Sequence, residues 1–213
     1  MVAGGGRHFV NAYVALTILR DDRNFRLPIQ IWHLGPHEMS EGMARLLKRF
    51  DVELVDVNDV LKAHPMRKIG GWECKPYALL HSPFERVMLL DADNVPLQDP
   101  ADLLDSIPFR DGGALFWPDI SKTTAHDPAW ELFRVPFRDE PEFESGQIVV
   151  DKRQAWLPLN LATHYCGWSD IYWQYVNGDK QALQMAWRHL EFPYALCPVA
   201  VKQLDGTVLA PKG

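Results

Sequence analysis

Cysteine is scarce in this chain. Only Cys74, Cys166 and Cys197 occur in 213 residues, with no CxxC pair and no Cys/His spacing suited to metal ligation. That excludes a disulfide scaffold and a structural zinc centre, and points to reduced thiols in a cytoplasm. No stretch approaches eighteen consecutive apolar residues, so no integral membrane segment is expected. The opening MVAGGGRHFV has no basic region leading into a long apolar one, which argues against a secretory signal. Dense Lys/Arg blocks are missing too, and 22 basic against 28 acidic residues leave a net charge of −6, so no nucleic-acid partner is expected. Neither GxGxxG nor the GK[ST] phosphate loop is present, and there is no internal repeat or low-complexity linker.

What is present reads as a globular α/β chain. Apolar residues make up 47%, enough for a substantial core in a single domain spanning 1–213. LPIQIWHLG reads as a strand, and Met39, Met43, Leu46, Leu47 and Phe50 then recur at helical spacing before the strand VELVDV. A helix is expected from about Lys75 with Pro76 in its first turn, followed by the strand RVMLL after Pro83. Asp99-Pro100-Ala101-Asp102 resembles an N-cap with Pro at N1, GALFW and GQIVV read as strands, and a last helix follows Asp179. This alternation predicts a mixed, mainly parallel sheet flanked by helices. The pattern-poor segment from Pro118 to Pro141 reads equally as a lid or as a long surface loop.

In such sheets ligands bind beyond the carboxyl ends of strands. VMLLDADNVPLQDP places Asp91 and Asp93 at one such end, as a turn and helix cap or as a platform for a metal ion. The Gly4-Gly5-Gly6 turn before a helix lets backbone approach a nucleotide. Ser145-Gly146 beside Glu144 offers a hydroxyl and a close-approach backbone, or simply a bulge glycine. Lys180 in the first turn of a helix opposes the helix dipole, which suggests a nearby anion. The aromatics Trp168, Tyr172, Trp173 and Tyr175 read mainly as core, with one or two facing a cleft. His164 and His189, inside helical patterns, read as structural.

Taken in order, AGGGRHFVNAYVALTILR, LPIQIWHLGPHEM, KPYALLHSPFERVMLLDADNVPLQDP, FESGQIVVDK and GDKQALQMAW resemble a GT-A glycosyltransferase, most of all mannosyltransferases related to the fungal α-1,3-mannosyltransferases. The resemblance implies a GT-A fold whose residues 1–117 form a nucleotide-binding half and 118–213 an acceptor and sugar half. It implies transfer, with retention, from a nucleotide-sugar donor, GDP-mannose before a UDP-sugar, to a glycan or other hydroxyl acceptor. Mn²⁺ or Mg²⁺ would be held by Asp93 and Asp91, and Gly4, Gly5, Lys75, Asp91, Ser145, Gly146, Gln147 and Lys180 would contact the donor. Asp179 and Glu144 would be the catalytic carboxylates. Only Met1, Val2 and Ala3 precede the glycines, and no histidine follows Asp205-Gly206. Those two departures keep a second reading open, a nucleotide-sugar-binding relative that does not transfer. A nucleotidyltransferase ranks last, since Arg7 is the lone fixed cation in GGGRHF.

Overall fold

The computed structural model describes Met1 and residues 6–199. The helices are α1 (Gly6–Thr17), α2 (Glu41–Leu47), α3 (Val57–Ala63), α4 (Cys74–His81), α5 (Ile107–Gly112), α6 (Ala129–Leu132), α7 (Lys152–Gly167), α8 (Ser169–Tyr172) and α9 (Gly178–His189). The strands are β1 (Gln30–His33), β2 (Glu53–Asp56), β3 (Arg86–Leu90), β4 (Ala114–Pro118), β5 (Phe143–Asp151) and β6 (Ala195–Leu196). Local chemistry sets several boundaries. Ser40, Asp56 and Asp151 cap α2, α3 and α7 by accepting from backbone amides two or three residues on. Asp99 caps a short 3₁₀ turn with Pro100 at its start, as expected. Among the described residues no helix is long and apolar enough to cross a membrane.

β1 and β2 pair in parallel, and a second sheet has the order β3-β5-β4-β6. The sheet is mixed, but the expectation of mainly parallel pairing is corrected. β5 runs antiparallel to both β3 and β4, and only β4 with β6 is parallel in that sheet. The reason is physical: a strand covered on both faces reads as one continuous apolar run whichever way its neighbours point. β4 crosses the division expected at 117/118, and β3 and β5, from either side of it, share one sheet.

The main core joins this sheet to α4, α7 and α9 through fully buried Phe116, Phe143 and Trp187. Phe116 stacks on Phe143 at 4.0 Å and meets Trp187 edge-on at 5.1 Å. A second cluster, with Leu16, Ile31, Leu47 and Phe50, packs α1 and α2 on β1. A mostly apolar cavity of about 470 Å³ lies between β1 and β3, lined by Ile29, Trp32 and Val87 among others. Met1 borders it and bridges β1, donating to the Gln30 carbonyl and accepting from the Trp32 amide, each at 2.9 Å.

The segment from Pro118 to Pro141 is neither a lid nor a loose loop. Trp130, Phe133 and Val135 are buried in the main core, and its ends are stitched by backbone bonds between Asp119 and Glu142 and between Glu142 and Ser121. Tyr172 and Trp173 pack on the same core, while Trp168 and Tyr175 are exposed. Trp168 lies under the Arg67 guanidinium at 4.2 Å. The His189 ring nitrogen Nδ1 bonds the Phe133 carbonyl, a structural role as expected. All three cysteines are free, Cys74 and Cys166 buried.

Candidate active site

β3 ends at Leu90, and the chain turns at once. The Asp91 amide donates to the Gly146 carbonyl at 2.7 Å, and the Asn94 amide donates to the Asp91 carbonyl at 3.1 Å. The Asn94 side chain also donates to the Gly146 carbonyl at 2.7 Å. Across the sheet, β5 loses register with β4 between Leu115 and Trp117, so residues 145–148 face Phe116 alone. This is the bulge anticipated for Gly146. A Cβ there would meet Asn94 Nδ2 at 2.9 Å and Glu144 Oε2 at 3.0 Å, so any larger residue would have to displace those side-chain ends.

Into this turn reaches Lys75, from the first turn of α4, with only 7% of its surface exposed. Its Nζ donates to Asp91 Oδ2 at 2.6 Å and lies 3.4 Å from both the Ser145 carbonyl and Oγ. On its other side, at 3.8 Å, is Asp179 Oδ2 from the first turn of α9. That distance is too long for a hydrogen bond. Asp179 is buried, and its Oδ2 has no hydrogen-bond partner. Glu144 accepts from the Gly146 amide at 2.7 Å. The fold therefore gathers Lys75, Asp91, Glu144, Ser145, Gly146 and Asp179 from four elements, α4, the end of β3, β5 and α9.

Their electrostatics follow from burial. Desolvation raises the pKa values of Asp179, Asp91 and Glu144 above the usual carboxylate range, with Lys75 opposing it in each case. For Lys75 burial alone would lower the value, but Asp179, Asp91 and Glu144 outweigh it and raise it. The arrangement is a cation held ready between carboxylates that resist ionisation. A buried acceptor without a partner is costly unless a ligand supplies one.

The remaining expected residues lie apart or differ in company. Asp93 is exposed, while Ala92 between the two aspartates is buried in the α1–β1 core. Gln147 is half-buried and paired with Leu90 in the sheet. Gly4 and Gly5 lie outside the described residues. Lys180 does have an anion close by, supplied by the protein: it pairs with Asp119 and, at 3.1 Å, with buried Glu142. Ser121, Thr123 and Gln181 complete that network on Glu142 at 3.0–3.1 Å. Sequence reading missed Asn94 and Glu142. Asn94 was signalled by its place directly after the Asp pair, whereas nothing local in PEFE marks Glu142 as buried.

Asp179 is aimed by Gly178, whose φ of +70° L side chains rarely adopt. A Cβ there would also approach the Trp72 ring to 3.3 Å. Gly178→Ala is therefore expected to cost about 1–2 kcal/mol, read as a lowered urea midpoint. An unchanged midpoint would show that this turn relaxes without strain.

Two carboxylates one residue apart at a strand end suit a hard cation. Among the described residues no group of three or more His, Cys, Asp or Glu side chains is placed to hold one. An ion held by these two carboxylates would have to take its remaining oxygens from phosphates and water, as Mg²⁺ does, and would share Asp91 with the Lys75 ammonium.

Residues 1–142 match the family model described as "Mannosyltransferase putative". The chain belongs to this mannosyltransferase family. Among curated relatives it is 26% identical over 234 residues to Alpha-1,2-mannosyltransferase MNN24 of Candida albicans, covering 90% of this chain and 33% of that protein. It is 30% identical over 210 residues to Alpha-1,2-mannosyltransferase MNN23 of the same organism, covering 78% of this chain and 34% of that protein. This family member thus spans about a third of the length of those relatives. Both relatives are named α-1,2, so the α-1,3 part of the resemblance is not supported. Among solved structures, galactosyltransferase LgtC with donor and acceptor sugar analogues superposes with a TM-score of 0.60 at 15% identity, covering 92% of this chain and 71% of that one. Mouse xyloside xylosyltransferase 1 gives 0.57 at 16%, covering 93% and 83%. The mannosyltransferase-family chain has the GT-A fold, with mixed sheets flanked by helices in a single domain.

Proposed function

We propose that the chain transfers a mannosyl residue from a nucleotide sugar, GDP-mannose before any UDP-sugar, to a hydroxyl of a glycan acceptor, with retention at the anomeric carbon. The observation that carries this is one buried ammonium, Lys75, shared between Asp91 at the end of β3 and Asp179 at the start of α9. A nucleotide-sugar transferase needs an anion-binding side for the leaving diphosphate and a carboxylate side for the sugar, and this cluster offers both. Membership of a mannosyltransferase family supports mannose as the sugar, and the α-1,2 names of the relatives support an α-linked product.

In this reading the C1–O bond to the diphosphate breaks as the acceptor hydroxyl forms a new bond to C1, and the hydroxyl proton leaves with the phosphate oxygen. Lys75 places its charge on the departing diphosphate as a point cation. Asp179 stabilises positive charge growing at the sugar ring, the kind of preorganised carboxylate effect seen in glycosyl chemistry. Ser145, Gly146 and Gln147 lie beneath the sugar and order its hydroxyls, and Glu144 fixes that loop through the Gly146 amide. Mn²⁺ or Mg²⁺, when bound by Asp91 and Asp93, would supply Lewis-acid neutralisation of the diphosphate. Lys180, already compensated by Asp119 and Glu142, is assigned to holding the first turn of α9 rather than to the donor.

Calorimetric titration with GDP, UDP, GDP-mannose and UDP-glucose, each with and without Mn²⁺, tests the proposal. Because the protein offers two carboxylates, Mn²⁺ alone should bind at least about tenfold more weakly than Mn²⁺ with GDP. Asp93→Ala should abolish the metal-dependent part of GDP binding. Equal GDP affinity in that variant would remove Asp93 from the metal assignment, and tight donor binding with no transfer to any hydroxyl acceptor would favour the binding-only relative.

A further inference from the structure

Trp72 leaves 60% of its surface exposed, in a chain that buries Trp32, Trp130 and Trp187. Single exposed apolar residues are ordinary, but this one is carried by a turn pinned through hydrogen bonds and stands in a particular place. It sits in the 3₁₀ turn Gly71–Glu73 that runs directly into α4, three residues before Lys75. The turn is fixed by the Glu73 amide donating to the Gly70 carbonyl at 3.1 Å, and by Ser169 Oγ donating to buried Glu73 Oε1 at 2.6 Å. One part of the indole packs on Gly178, the residue before Asp179, and Trp173 lies 6.5 Å away, tilted by 44°. The absent side chain of Gly178 thus serves two purposes: it permits the left-handed turn and it makes room for the ring.

The indole therefore stands at the start of α9, against the residue that precedes Asp179. An exposed apolar ring face packed on the residue before Asp179 suits a neutral ligand that has both a C–H face and hydroxyl groups. A pyranose has both. We infer that Trp72 is the stacking face for the acceptor sugar, a mannose-class pyranose, which rests on the glycosyl-transfer reading above. Holding Trp72 in place beforehand reduces the ordering cost on binding, so the ring contributes affinity with little entropy loss. The sequence directed attention to the aromatics of GWSDIYWQY instead, because they lie next to Asp179 along the chain, whereas Trp72 reaches it only through the fold.

The test uses the full chain with α-1,2-mannobiose and GDP as separate probes. Saturation-transfer NMR should show mannobiose C–H protons receiving magnetisation from the wild type, with affinity about tenfold lower in Trp72→Ala and partly restored in Trp72→Phe. GDP affinity by calorimetry should stay within about twofold across all three proteins, since the inference puts the ring on the acceptor sugar and not on the nucleotide. In turnover, Trp72→Ala should raise the acceptor KM about tenfold and leave the donor KM unchanged. Mannobiose binding that is absent in the wild type, or equal in wild type and Trp72→Ala, overturns the inference. So does a Trp72→Ala variant that loses GDP instead, which would make the ring a base-stacking face. Loss of all nucleotide binding in the wild type with Trp72-dependent mannobiose binding intact would sink the transfer reading and leave the sugar face standing. The reverse pattern would do the opposite.

Discussion

Lys75→Met is expected to lower stability by about 3–5 kcal/mol and to abolish donor binding, because the change strands buried carboxylates around a missing cation. The side chains of Lys75 and Asp179 are 8% and 5% exposed, so solvent screens little of the loss. The pH dependence is diagnostic. In the wild type Lys75 has a raised pKa, so its contribution is fully present below the unfolded lysine value of about 10.4 and is lost only as pH rises through its folded value. In the variant, Asp91 and Asp179 can offset part of the loss by taking up protons. The stability gap between variant and wild type should therefore be small near pH 5 and widen toward pH 8, read from urea midpoints at the two values. A gap that does not change with pH would mean that Lys75 contributes packing rather than charge.

Asp179→Asn should separate stability from function. The variant is expected to keep donor affinity within about twofold, lose transfer by at least about a hundredfold, and melt higher than the wild type at neutral pH. Burial raises the Asp179 pKa in spite of Lys75. The folded protein therefore binds more protons than the unfolded chain from about pH 4 upward, and stability falls as pH rises through that window to the folded value. Asparagine cannot ionise, so the advantage of the variant should vanish at acid pH and grow as pH rises. Residual transfer near the wild-type rate would reassign the catalytic carboxylate to Glu144. A lower melting temperature at pH 7 would show that Lys75 stabilises Asp179 more than burial penalises it.

Much of the local structure was legible along the chain. Helical spacing over 39–50, the Pro76 start of α4, the Asp99-Pro100 turn and the apolar runs of β3, β4 and β5 all signal through neighbours within a few residues. The Asp pair was equally legible, since an apolar run that meets two like charges one residue apart marks the end of a strand. The direction of β5 was not. Its neighbours are some 30 to 60 residues away, and side-chain pattern carries no sign of strand polarity when both faces are covered. Lys180 misled for a related reason. Its opposition to the helix dipole correctly implied an anion, but the anions come from Asp119 and Glu142, about 60 and 40 residues upstream.

The sequence by itself determined strands β1 to β5 and helices α2, α4 and α9, the carboxylates, lysines and glycines that fall at strand and helix ends, and the family to which the chain belongs. These depend on interactions that repeat every two to four residues, or on ordered motifs, and both are written linearly. The tertiary structure alone decided that Lys75 stands between Asp91 and Asp179, that Gly146 makes room for Asn94, and that Trp72 rests on Gly178. Each of those contacts joins elements distant in the chain. Burial then sets their chemistry, because the same carboxylate that is an ordinary acid in water becomes a reluctant anion once the fold has taken its solvent away.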